Sequence, residues 1–126
     1  MSDQSERQLS PCPASPNCVS SLATDDAHKV EAFTLTKPAS DAWPEIKALV
    51  LSLPRSKLVE EKPGYLHVEV RSLLFRFVDH LELAAEPEGE RLDVRSASVL
   101  GYSDLGVNRK RVEALRARLK EAGLLR

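Results

Sequence analysis

A two-layer α+β domain in the order β-α-β-β-β-β-α is the architecture this sequence predicts. Two observations carry that reading. Residues 65–71, 75–84 and 91–99 alternate apolar and polar side chains with period two, and short turns separate them. Residues 40–53 and 108–122 instead repeat apolar groups at helical spacing. Strands joined by short loops pair as an antiparallel meander, and two amphipathic helices on one face of it complete two layers. The chain has 126 residues, 42% of them hydrophobic and 29% charged, which suits one buried core rather than two or a disordered chain.

The elements follow in order. Residues 1–27 read as an irregular Pro/Ser-rich segment with Cys12 and Cys18, since Pro11, Pro13 and Pro16 exclude a helix or central strand. Residues 28–126 read as the α+β domain. Val30–Thr36 is the first expected strand, with Phe33 and Leu35 on its more apolar face. Ser40 or Asp41 is expected to cap the first helix, and Pro44 is tolerable in or near its first turn. Trp43, Ile46, Val50 and Leu53, with Leu49 beside them, form its apolar face, and Pro54 ends it. Leu58–Glu61 is a short strand, and Lys62-Pro63-Gly64 a turn. Tyr65–Arg71 turns Leu66, Val68 and Val70 to one face. A bend at 72–74 leads to the strand Phe75–Ala84, whose Phe77, Asp79, Leu81 and Leu83 share a face. Glu86–Glu90 is a hairpin loop and Arg91–Val99 the last strand, with Leu92, Val94, Ser96 and Ser98 on one face. Asp104 or Asn108 is expected to cap the final helix, whose stripe is Val112, Leu115, Leu119 and Ala122; Gly123 ends it.

Charge and motifs exclude several functions. The formal net charge of −1 gives no global attraction to nucleic acid or an anionic membrane. Glu113 and Glu121 interrupt the basic residues Arg116, Arg118 and Lys120, and the sheet has no aromatic stacking platform, so no nucleic-acid partner is expected. No apolar run reaches the ~20 residues of a membrane span, and Met1–Ser10 lacks the apolar stretch of a signal peptide. A cytoplasmic location is therefore expected, and a monomer or weak homodimer. HExxH, CxxC and P-loop patterns are absent, as is a nucleophile and base at recognisable spacing around His28 or His67. No cofactor or metal is expected.

Three constellations remain. Five residues separate Cys12 from Cys18, so a proline-rich turn can bring them within disulfide reach; inert thiols are the alternative, with metal binding or catalysis behind both. Asp79 is expected to face inward, where a carboxylate needs a partner. Ser96, Ser98 and the cations Arg71, Arg95, Arg109 and Arg111 are candidates, forming either a polar network that locks the final helix to the sheet or an acid–base site. Gly101, Ser103, Asp104, Asn108, Arg109 and Arg111 form the best ligand-site candidate. Free N–H groups at a helix start favour an anion, and three cations there break the dipole rule. The preferred function is a non-enzymatic binding module for a small anionic or amphipathic ligand. The alternatives are an enzyme using the Asp79, Ser96, Ser98 and Arg95 cluster, and a protein-interaction module using the Cys-Pro loop.

Three stretches, Cys12-Pro13-Ala14-Ser15-Pro16-Asn17-Cys18-Val19-Ser20-Ser21, Tyr65–Ser72 with Phe75–Asp79, and Val94–Ser98 with Gly101–Arg111, together resemble the domain-of-unknown-function family 1499. The resemblance implies no activity. His80 stands where the family pattern has a second Asp beside Asp79, which weakens any role needing adjacent carboxylates. Relatives carry N-terminal export or membrane segments, so localisation is not carried over.

Overall fold

The computed structural model describes residues 9–15, 17–71, 78–99 and 106–126. Along them run β1 (Cys18–Ser20), β2 (Phe33–Thr34), α1 (Ala39–Leu51), β3 (Ser56–Lys62), β4 (Tyr65–Arg71), β5 (Val78–Ala84), β6 (Arg91–Ser98) and α2 (Val107–Glu121). The sheet order is β1-β6-β5-β4-β3, with β2 also against β6, and every ladder is antiparallel. The meander and the α+β class are those read from the sequence.

Register fixes the two faces. Val70, Asp79 and Ser98 stand side by side across three strands, as do Val68, Leu81 and Ser96, and then Leu66, Leu83 and Val94. Because side chains alternate along a strand, these nine share one face. Ile46 and Val50 of α1 and Val112, Leu115 and Leu119 of α2 close over it in one core cluster, all fully buried. Tyr65, His67, Glu69, His80, Glu82 and Arg95 turn to the other face. There Leu9 packs on Tyr65 and Ala84, and Arg95 donates to the carbonyl of Pro11, so the N-terminal segment crosses this side.

Several elements differ from the sequence reading, each for a local reason. The segment read as irregular supplies β1, because Cys18, Val19 and Ser20 find backbone partners on Ala97, Ser96 and Arg95 at the sheet edge. The strand expected over Val30–Thr36 contracts to Phe33–Thr34, and Leu35 bridges to Leu125 instead. In α1 neither Ser40 nor Asp41 is the cap. Pro38 is, and the N–H groups of Ala39 and Ser40 donate to carbonyls of Gly89 and Pro87. Pro44 therefore lies in the second turn, with Trp43 and Leu49 half-buried beside it. In α2 the cap is Gly106 in the left-handed region (φ 79°), not Asn108, which is the second residue of the helix and is buried. Asp104 and the bend and strand residues at 72–77 lie outside the described residues. At the other end Leu124 and Gly123 donate to the carbonyls of Leu119 and Lys120, with Gly123 at φ 79°. That is a Schellman ending, and buried Leu124 seals it.

Candidate functional site

Parity places Asp79 on the helix-covered face, 5% exposed. Its Oδ2 accepts from Arg111 Nη2 at 2.6 Å. The other guanidinium nitrogen, Nη1, donates to Asn108 Oδ1 at 2.8 Å and Ser96 Oγ at 3.1 Å, and Ser96 donates in turn to the same Asn108 oxygen at 2.6 Å. Asn108 Nδ2 reaches Ser98 Oγ and the carbonyl of Asn17, whose own Nδ2 donates to the carbonyl of Ser98. One polar network thus joins β5, β6, α2 and the chain leading into β1. Its members satisfy one another, as buried polar groups must.

The disulfide Cys12–Cys18 closes the loop that meets this network. Ser15 donates to Asn17 Oδ1, and His28 pins the loop from outside. His28 Nδ1 faces Asp25 Oδ2 at 2.5 Å while Nε2 faces the carbonyl of Ser15 at 2.9 Å. Both partners are acceptors, an arrangement that favours the doubly protonated ring. The Ser15 carbonyl first and Asp25 second raise the His28 pKa, and His28 in turn holds Asp25 below its ordinary value.

The remaining candidates separate. Arg109 turns away from Asp79 and donates to the carbonyls of Lys29, Ala27 and Asp26. Arg95 lies on the opposite face, paired with Glu82 at 3.2 Å. Glu82 also accepts from Tyr65, whose phenol is held above its ordinary pKa by burial and by that carboxylate. Gly101, Ser103 and Asp104 lie outside the described residues. Of the sequence candidates, the structure brings together Asp79, Ser96, Ser98, Asn108 and Arg111.

Beside Arg111 opens a groove of about 440 Å³, walled by Leu53, Pro54 and Arg55 after α1, Val70 and Arg71 at the end of β4, and a stripe of α2. The stripe is Val107, Lys110, Arg111, Ala114 and Arg118, one face at helical spacing. Five of the lining side chains are cationic and none is acidic. Arg71 is 3.8 Å from Glu69, Arg55 donates to the Arg71 carbonyl, and Arg118 donates to Ser52 Oγ. Lys110 has no ion-pair partner among the described residues. Arg55 is the described non-glycine residue with positive φ, 59°, a conformation that costs a side chain about 1–2 kcal/mol. Sequence reasoning missed Arg55, Lys110 and Arg118 as a set. The i, i+4, i+8 spacing of Lys110, Ala114 and Arg118 was the available signal. Among the described residues no group of three His, Cys, Asp or Glu is arranged to hold a metal, and no helix is long and apolar enough to cross a membrane.

No curated protein and no solved structure matches this chain. A family model described as a protein of unknown function (DUF1499) matches residues 8–119, from the start of the disulfide loop to the last buried leucine of α2. With that much of the fold covered, the chain belongs to the DUF1499 family.

Proposed function

We propose that the protein is a binding module for a small anionic or amphipathic ligand, held in the groove between α1, β4 and α2. One observation carries this: five cationic side chains and no acidic one line a cleft whose other lining residues, Leu53, Pro54, Val70, Val107 and Ala114, are apolar. Its volume falls in the usual range for small-molecule sites, roughly 300–1,000 Å³. Arg and Lys heads supply charge-assisted donors for a carboxylate or phosphate, and the apolar lining accepts a short hydrocarbon. Arg111 is oriented by Asp79 and Asn108, so it offers a fixed edge rather than a free arm.

The acid–base alternative is weaker on the same geometry. Asp79 is occupied by Arg111, Ser96 is fully buried, and Arg95 is on the other side of the sheet. The disulfide bears on location. Such bonds persist in oxidising compartments, so the Cys12–Cys18 pair favours one over the cytoplasm that the polar N-terminus suggested.

Thermal-shift measurements with phosphate, sulfate and octanoate test the binding reading. The melting temperature of the wild type rises with at least one of them; saturation at about 100 times Kd stabilises by about 2.7 kcal/mol. The Lys110→Ala/Arg118→Ala variant loses the rise, while Arg109→Ala, outside the groove, keeps it. A rise that survives in the double variant, or no rise with any of the three, refutes the assignment.

A further inference from the structure

We propose that His67 and His80 form a two-imidazole site for a divalent transition-metal ion on the sheet face that the helices leave open. The site is independent of the groove. In the β4–β5 ladder His67 stands opposite Glu82 and His80 opposite Glu69, so the two histidines are diagonal neighbours on one face. His67 Nε2 and His80 Nδ1 approach to 2.8 Å, with ring centroids 4.9 Å apart and planes tilted by 51°. The two nitrogens share one hydrogen bond, so in the neutral pair a single proton lies between them.

A metal ion can take that proton's place. Zinc–imidazole bonds of about 2.0–2.1 Å at a tetrahedral angle put the two nitrogens roughly 3.3 Å apart, so the rings need to part by only about half an ångström. Metal ligands must be deprotonated, so protons compete with the ion for both rings. The charged groups around His67 are the carboxylates Glu82, Glu60 and Glu69 and the ring of His80. Each carboxylate has a cationic partner, Arg95 on Glu82, Lys62 on Glu60 and Arg71 on Glu69, and Tyr65 also donates to Glu82. Since no third protein ligand completes the set among the described residues, water fills the other positions. Imidazole donors select copper or zinc over calcium or magnesium. Competing soft ligands are spent: both cysteines are in the disulfide, and His28, the last of the three histidines, lies between Asp25 and Ser15.

The test is titration of the full chain with Cu²⁺ alone and Zn²⁺ alone, followed by calorimetry and by paramagnetic broadening of amide signals. One ion binds per chain, copper more tightly than zinc. Broadening centres on residues 67 and 80. His67→Ala and His80→Ala each weaken binding at least about tenfold, with circular dichroism reporting that each variant is folded. In the wild type, affinity falls as pH drops, because protons compete with the ion for the ligand nitrogens. Broadening centred on residues 25–28, unchanged affinity in both His67→Ala and His80→Ala, or no stoichiometric binding by the wild type overturns the proposal. The broadening map and the pH titration need no variant, so the proposal stays testable if a substitution unfolds the chain.

Discussion

Replacing Arg111 by Met removes a cation from a pair whose two side chains are only 11% and 7% exposed. Methionine keeps most of the stem's apolar volume, so the loss is chiefly electrostatic and hydrogen-bonding. Asp79 is left beneath the helices without its charge partner, and Asn108 Oδ1 and Ser96 Oγ each lose a donor. Breaking one side of a buried ion pair costs about 3–5 kcal/mol. For a domain of this size each kcal/mol is worth roughly 3–5 °C, so the melting temperature falls by roughly 10–20 °C. The double variant Asp79→Leu/Arg111→Met has no uncompensated charge, and exchanging a buried pair for apolar groups is often near neutral. Urea unfolding at 25 °C of the wild type, Asp79→Leu, Arg111→Met and the double variant gives the coupling energy directly. A single variant that loses less than about 1 kcal/mol, or a double variant no more stable than Arg111→Met, would refute the claim that these two residues depend on each other.

Two further outcomes follow from the loop that meets the network. Reducing the Cys12–Cys18 bond frees a loop with a sequence separation of 6, and loop-closure entropy sets its loss at about 2 kcal/mol; equal melting temperatures with and without reductant would contradict this. The His28 tie is pH-dependent from both ends. The folded pKa of His28 is raised, so its contribution is complete below the unfolded value near 6.5 and disappears as pH climbs through the folded value. The folded pKa of Asp25 is lowered, so its contribution is present above about 3.8 and disappears as pH falls through the folded value. The stability difference between wild type and His28→Gln is therefore largest between about pH 4 and 6.5 and shrinks above it, and a difference flat with pH counts against the doubly protonated ring.

Strand parity was the legible part of this chain. The alternation of Leu66, Val68 and Val70 against His67 and Glu69 set β4 at Tyr65–Arg71, and the same count turned Asp79 inward. The choice between Arg109 and Arg111 was not legible. Two residues apart on a helix means about 200° of rotation, so one faces the sheet and the other faces away, and the start of the helix decides which. That start is a left-handed glycine at 106, whereas Asp104 and Asn108 looked like the better caps by residue type. Strand β1 was hidden for a different reason. Three residues are too few to show a period, and what makes them extended is the unpaired edge of β6, distant in sequence. The groove was hidden likewise, since residues 53–55, 70–71 and 107–118 meet only through tertiary packing.

Three consecutive cations at the third to fifth positions of α2 oppose its dipole, each at about 0.3–1 kcal/mol at most, and their separate fates say which cost the fold itself offsets. Arg109 is relieved by three carbonyl oxygens of the loop at 26–29. Arg111 is relieved by Asp79 and Asn108. Lys110 is different. It lines the groove with Arg55, Arg71, Arg111 and Arg118 and has no ion-pair partner among the described residues. A residue chosen for stability alone at that position would be acidic or neutral. Arg55, held at a positive φ across the same groove, adds a second local cost to the same small region. Departures from local rules gather where a structure serves something other than its own stability. Here they gather on one wall-to-wall cluster of cations, which is why the groove, rather than the fully paired Asp79 network beside it, is the place to look for a ligand.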